Sequence, residues 1–121
     1  MKVVILGAGK VGESLARNLS QDGYDVSLVD LDKSKIDYLQ DRLDVAAIVG
    51  HAAHPNSFKK CGADNETIVL AVTNNDEVNI AACQIAKAQF SVKKTICRFK
   101  DNTYLSCLDS FGENVIDIPI S

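Results

Sequence analysis

The segment that most restricts what this chain can fold into is "GAGKVG", Gly7 to Gly12, lying between the apolar run "VVIL" and a stretch whose apolar residues Val11, Leu15 and Leu19 recur four apart. The apolar run reads as a strand, Lys2 to Leu6, and the four-residue spacing as one buried stripe on a helix that runs to about Gln21 and is ended by Gly23. Three glycines between a strand and a helix do separate jobs. Gly7 permits the tight turn, Gly9 lets backbone approach a pyrophosphate, and Gly12 lets helix and strand pack closely. A phosphate would meet the free amides and the positive dipole end of the helix.

The alternation that begins there continues. "YDVSLVD", Tyr24 to Asp30, reads as the second strand, followed by a helix with Ile36, Leu39 and Leu43 on its buried side and Ser34 near its start, where a hydroxyl can accept a free amide. "VAAIV", Val45 to Val49, is the third strand, and Pro55 opens a short helix. "TIVLAV", Thr67 to Val72, is apolar on both faces and so belongs at the sheet centre. Val78, Ala81, Ala82, Ile85 and Ala86 mark a helix from Asp76 to about Gln89. "TICRF", Thr95 to Phe99, a short helix over Tyr104 to Phe111, and "VIDIPI", Val115 to Ile120, complete the pattern. With right-handed crossovers the expected fold is α/β, a Rossmann-like doubly wound parallel sheet of six strands in the order 3-2-1-4-5-6. Ligands bind such sheets at the carboxyl ends of the strands, where the order reverses between strands one and four.

The residues just after each strand are therefore the candidate site. Asp30 ends strand two at a spacing suited to accepting ribose hydroxyls, and its charge would repel a 2′-phosphate, which favours NAD or an adenosine nucleotide over NADP. Leu31, Asp32 and Lys33 follow it; Asp32 and Lys33 either reach the adenosine edge or face water. "GHAAHP" places Gly50, His51 and Ala52 after strand three, with the backbone of Gly50 and His51 facing an adenine edge. His51 and His54 lack an obvious third ligand, so a metal is not expected. Val72, Thr73 and Asn74 end strand four at the switch point, and Asp76 reads as a cap for the helix that follows. Arg98 lies inside an apolar strand, where an unpaired charge is costly, so it should meet an anion: a carboxylate such as Asp76, or bound phosphates. Lys10 either reaches a phosphate or extends into water.

Composition closes off other classes. A chain of 121 residues with 46% hydrophobic and 24% charged residues suits one folded domain over 1–121, and a net charge of −3 gives no basic footprint for nucleic acid. No apolar run approaches the roughly 18 residues needed to cross a bilayer. Cys61, Cys83, Cys97 and Cys107 form no C-x-x-C pair and read as small apolar side chains. There is no Tyr-x-x-x-Lys pair, no Gly-x-x-x-x-Gly-Lys-Ser/Thr loop and no nucleophile elbow. Binding without catalysis is expected; the alternative is the cofactor-binding part of an NAD-dependent oxidoreductase.

"MKVVILGAGKVGESLARNL", "VDLDKSKIDYLQDRLDV", "GHAAHP" and "AVTNNDEVNIAACQIAK" together resemble the regulator-of-potassium-conductance, or KTN, family in its TrkA N-terminal branch. The resemblance is close from Met1 to about Lys87, and "AVTNNDEVN" after such a loop is more specific than the loop itself. It implies a nucleotide switch that binds NAD or NADH, and in relatives ATP, ADP or AMP. It further implies a dimer or larger ring, a cytoplasmic position against the inner face of the membrane, and control of a membrane potassium transporter subunit. By position it carries over Gly7, Gly9 and Gly12 to the phosphate loop, Asp30 to the ribose carboxylate, Thr73 and Asn74 to the ligand-facing turn, and Arg98 to a basic residue on strand five. Lys10 stands where some ATP-binding relatives have arginine. Family subunits usually continue beyond strand six, so the chain is expected to be an excised domain or a minimal subunit.

Overall fold

A computed structural model describes residues 1–121. Six parallel strands form one sheet: β1 (Lys2–Leu6), β2 (Asp25–Asp30), β3 (Ala46–Val49), β4 (Ile68–Ala71), β5 (Lys94–Arg98) and β6 (Ile118–Ile120), in the order β3-β2-β1-β4-β5-β6. That is the order expected from the β/α alternation. Helices α1 (Lys10–Gln21), α2 (Lys33–Gln40), α3 (Pro55–Cys61) and α4 (Asp76–Phe90) connect them. No helix is long and apolar enough to cross a membrane.

Because β1 is central, both of its faces are covered, and its alternate side chains feed two separate cores. Val3 and Ile5 join Ala16 of α1, Ile36 and Leu39 of α2, and Val26 and Leu28 of β2. Val4 and Leu6 join Phe58 of α3, Ala82, Cys83 and Ala86 of α4, and Cys97 and Phe99. The sheet thus has α1 and α2 on one face, α3 and α4 on the other. Leu6 registers with Val29 and Ala71, so the carboxyl ends of β1, β2 and β4 finish level.

Several boundaries differ from those the sequence suggests, each for a local reason. The cap of α2 is Asp32, whose carboxylate accepts the amides of Ser34 and Lys35 at 3.0 and 3.3 Å; the Ser34 hydroxyl donates to it and caps nothing. Leu43 packs on the core from beyond the end of α2. Asn75, not Asp76, caps α4 by accepting the Val78 amide at 2.9 Å. The segment expected to be one helix over Tyr104 to Phe111 is two short 3-10 helices, Asn102–Ser106 and Leu108–Phe111, separated at Cys107 with φ −139°. β6 is shorter than its apolar run. Thr95 of β5 gives its amide to the Asp117 carboxylate at 2.8 Å and its hydroxyl to the Val115 carbonyl at 2.6 Å, beside one backbone bond from the Asp117 amide to the Thr95 carbonyl at 3.2 Å, so side chains supply much of the pairing there.

All four cysteines are free, and Cys61, Cys83 and Cys97 are buried. Burial pushes the Cys61 thiol up to about 11. A hydrogen bond with Cys97, and then burial, push Cys83 far up as well. The Cys61 and Cys83 thiols stay protonated at neutral pH and act as core side chains.

Candidate functional site: a cleft at the carboxyl ends of the strands

The loop from β1 to α1 is built by its glycines. Gly7 has φ +110°, a region that L side chains rarely adopt, and a Cβ there would lie 3.0 Å from the Thr73 backbone. At Gly12 a Cβ would fall 1.7 Å from the Gly7 carbonyl oxygen, so α1 can lie this close to the loop only without a side chain. Gly9 is different: a Cβ would meet nothing within 4 Å, and the residue borders the cleft described below. Gly9 is also the N-cap of α1 and supplies no side-chain acceptor. The amides of Lys10, Val11 and Gly12 therefore have no partner within the chain, the first in-chain bond being Glu13 N–H to the Gly9 carbonyl at 2.8 Å.

Asp30, at the end of β2, is tied to this loop. One carboxylate oxygen accepts the Ala8 amide at 2.8 Å and the other accepts the Asp32 amide at 2.9 Å. Each oxygen keeps a second lone pair for an outside donor. After β3, a Cβ on Gly50 would sit 2.7 Å from the Ser57 hydroxyl, which donates to the His51 carbonyl at 2.7 Å. The His51 ring accepts the Ala53 amide through Nδ1 at 3.0 Å, and the His54 ring caps α3 through the Asn56 amide at 3.1 Å. Both histidines are thus used to shape the turn, and no group of three His, Cys, Asp or Glu side chains gathers anywhere to hold a metal ion.

The far wall is organised by Asn79 of α4, which is fully buried. Its Oδ1 accepts the Thr73 amide at 3.0 Å and the Thr73 hydroxyl at 2.6 Å, while its Nδ2 donates to the carbonyls of Thr73 and Arg98 at 3.1 and 3.0 Å. One side chain locks the ends of β4 and β5 together. Asp76 is buried beside it and accepts the amides of Lys100 and Asp101 at 2.8 and 2.9 Å. It does not pair with Arg98, the carboxylate partner the sequence offered; that guanidinium donates only to the Thr73 carbonyl, at 3.4 Å.

These strand ends surround a cleft of about 510 Å³. Among the residues expected from sequence, Gly7, Gly9, Lys10, Asp30, Leu31, Gly50, His51, Ala52, Val72, Thr73, Asn74 and Arg98 line it. Ala8, Val11, Gly12, Asp32 and Lys33 do not. Ala8 is buried, Val11 packs on the core beneath α1, Gly12 faces the Gly7 carbonyl, Asp32 caps α2, and Lys33 pairs with Asp37 at 2.6 Å. Val29, Lys35, Asn75 and Val78 line the cleft without having been expected. Val78 was hidden by its place in the apolar pattern of α4; Lys35 had a signal in its position in the first turn of the helix after Asp30. The lining carries three permanent cations, Lys10, Lys35 and Arg98, against one carboxylate, Asp30, hence 3 − 1 = +2. The whole chain carries −3. A cleft of opposite sign to the protein, bordered at Gly9 and Lys10 by the start of a helix whose first amides are free, is suited to an anion.

Comparison with known proteins agrees with this architecture. The family profile of the TrkA-N domain matches residues 3–119. Over 106 residues, 88% of the chain, the sequence is 41% identical to the Trk system potassium uptake protein TrkA of Vibrio alginolyticus, of which the match covers 23%. The chain spans about a quarter of the length of such curated relatives. Among solved structures, the NAD(P)-binding domain of an exopolyphosphatase-related protein from Archaeoglobus fulgidus superposes with a TM-score of 0.80 at 24% identity, covering 98% of this chain and 85% of that one. The AMP-bound Kef CTD of Shewanella denitrificans gives 0.78 at 21% identity, covering 98% and 71%. At these identities the solved structures show a shared fold.

Proposed function

The chain belongs to the TrkA-N domain family, and on that premise we propose that it is a regulatory nucleotide-binding domain, working by binding and not by catalysis, in a system that controls potassium uptake. The ligand is an adenine nucleotide: NAD or NADH, or ATP, ADP or AMP, which share the adenosine and its 5′-phosphate. The observation that carries this reading is the start of α1, where the amides of Lys10, Val11 and Gly12 have no partner in the chain and Gly9 and Lys10 line a cleft with a cationic lining. Phosphate oxygens satisfy such amides, and the dipole of α1 adds to the attraction. The second lone pairs on Asp30 accept the ribose hydroxyls, and Gly50 to Ala52 border the base.

Regulation follows from linkage. A nucleotide shifts a two-state assembly only by its difference in affinity for the two states. In the proposed arrangement the domain sits on the cytoplasmic side, in a dimer or larger ring, against a membrane potassium transporter subunit. Support comes from the family and from the likeness to a potassium uptake protein over most of this chain.

Calorimetric titration with ADP and with 2′,3′-dideoxy-ADP, on the parent and on Asp30→Ala, tests the site. ADP is expected to bind the parent, and each change, alone, to weaken binding by at least about tenfold, the least that losing the charge-assisted hydrogen bonds to the ribose should cost. The two losses should not add, since both remove the same contact. No binding of any adenine nucleotide to the parent would end the reading; fully additive losses would remove Asp30 from the ribose.

A further inference from the structure

The two edges of the sheet are finished differently. At one edge, the bond from the Phe99 amide to the Ile120 carbonyl turns Ile120 towards β5, so the alternation of the strand puts Pro119 on the outward side of β6, where it has no amide to offer. The other edge is β3, "AAIV", which has neither a proline nor a charge to discourage pairing. Gly50 gives its amide to the Asp30 carbonyl at 3.0 Å, so the same alternation turns Ile48 and Gly50 towards β2 and leaves the amides and carbonyls of Ala47 and Val49 to the open side. No turn, loop or cap bond of the backbone takes them up. Ile48 packs with α3 and Ala47 with α2, so Ala46 lies on the α3 face and Val49 on the α2 face. Both are exposed, and neither helix closes the edge off.

We propose that β3 is the docking edge for a second copy of this chain, the two strands pairing antiparallel about a two-fold axis at Ala47 into one sheet that runs through both molecules. An isologous pairing of this kind needs an edge that complements itself. With the axis at Ala47, that residue meets its own copy, and the outward groups of Val45 and Val49 meet those of Val49 and Val45 of the second copy. Valines so placed form β-branched cross-strand pairs on the α2 face. Just beyond them, exposed Asp44 stands opposite Gly50 of the second copy, one residue from its exposed His51. The His51 ring accepts the Ala53 amide through Nδ1, so its Nε2 bears a proton in either charge state and can donate to that carboxylate. The symmetry repeats this match of donor and carboxylate at both ends of the pairing, which favours a second copy over an unrelated strand. The inference rests on the dimer or ring of the reading above and not on its nucleotide.

The test combines sedimentation equilibrium of the parent and of Val49→Lys, over a wide range of protein concentration, with residue-resolved amide hydrogen exchange of the parent at the two ends of that range. The parent is expected to form a dimer as concentration rises. Once nine-tenths of it is paired, exchange at Ala47 and Val49 should slow by about tenfold, because only the free copies expose these amides. Exchange at Ile48 and Gly50, whose amides already face β2, should change much less. Val49→Lys sets two cations into the pairing and should raise the dimer dissociation constant at least about tenfold, with a melting curve to verify its fold. A dimer whose Ala47 and Val49 amides exchange as fast as in the dilute protein, or a folded Val49→Lys that pairs as tightly as the parent, would move the contact to another surface and overturn the assignment. A parent that stays monomeric throughout would overturn it as well, and the ADP titration above then shows separately whether the nucleotide reading stands.

Discussion

Gly9 and Gly12 are three residues apart in one loop, and their side-chain space separates folding from binding. A methyl at Gly12 would overlap the Gly7 carbonyl, at 1.7 Å, so α1 must move away from β1. Gly12→Ala is expected to cost about 3 kcal/mol, as overpacking does, lowering Tm on the order of 10 °C in a scanning melt. A methyl at Gly9 meets nothing, and φ −74° there suits any residue. Gly9→Ala should change stability by less than about 1 kcal/mol yet weaken ADP at least tenfold, because the methyl occupies the space through which a phosphate reaches the amides. The reverse pattern, a melted Gly9→Ala or a binding-competent Gly12→Ala of full stability, would contradict these roles. The packing role of Gly12 was legible in the sequence because glycine marks close approach directly. The duties of Asp32, Asp76 and Asn79 were not, since which amide a short polar side chain accepts depends on loop geometry that spacing does not encode.

At the scale of elements, α4 does the most to shape the site. Its first two turns supply Asn75 as cap, Asp76 as anchor for the chain after β5, and Asn79 as the bolt between β4 and β5. Asn79→Ala strands the amide of Thr73 and the carbonyl of Arg98 without their buried partner. At about 1–3 kcal/mol for each buried group left unsatisfied, a loss of roughly 3 kcal/mol is expected in urea denaturation; a loss below about 1 kcal/mol would mean that water replaces the amide. β6 depends on a different device, the pairing of Lys87 with Asp117 at 2.8 Å. Burial pushes the Asp117 carboxyl up, but the bond from Lys87 and the Thr95 amide outweigh it and hold the group below the ordinary aspartate range. A lowered carboxylate contributes stability that is complete above the unfolded value, near 3.9, and is lost as pH falls through the folded one. Lys87→Met should therefore lower stability at pH 7 by up to about 1 kcal/mol, and the difference should shrink as pH falls through the folded value, as read from melts across an acid series. The strand itself was overextended in the sequence reading because "VIDIPI" carries a full strand's apolar character while Thr95 and Asp117 divert its first half from the ladder.

For the molecule as a whole, one sheet order brings the carboxyl ends of β1 to β5, and with them most of the candidate residues, around one cleft. The order β3-β2-β1-β4-β5-β6 was readable because Val- and Ile-rich runs alternate with helical spacing, and parallel crossovers allow few arrangements. The electrostatic contrast was not readable, since it arises when Lys10, Lys35 and Arg98, far apart in sequence, meet in a chain of net −3. A cationic cleft on an acidic protein should lose nucleotide affinity as salt rises, by several-fold between about 0.05 and 0.5 M NaCl. Salt-independent binding would mean that the amides hold the phosphates without help from the lysines and Arg98. The account as a whole claims that an adenine nucleotide binds across the carboxyl ends of β1 to β5, with its phosphates at the start of α1. Its most direct test is an amide-resolved NMR titration of the ¹⁵N-labelled domain with ADP. The expected result is saturable shifts at Gly9 to Gly12, Leu31, Gly50 to Ala52 and Thr73 to Asn75, with α3 and the amino end of β1 unmoved; no saturable shift, or shifts confined to other surfaces, would contradict it.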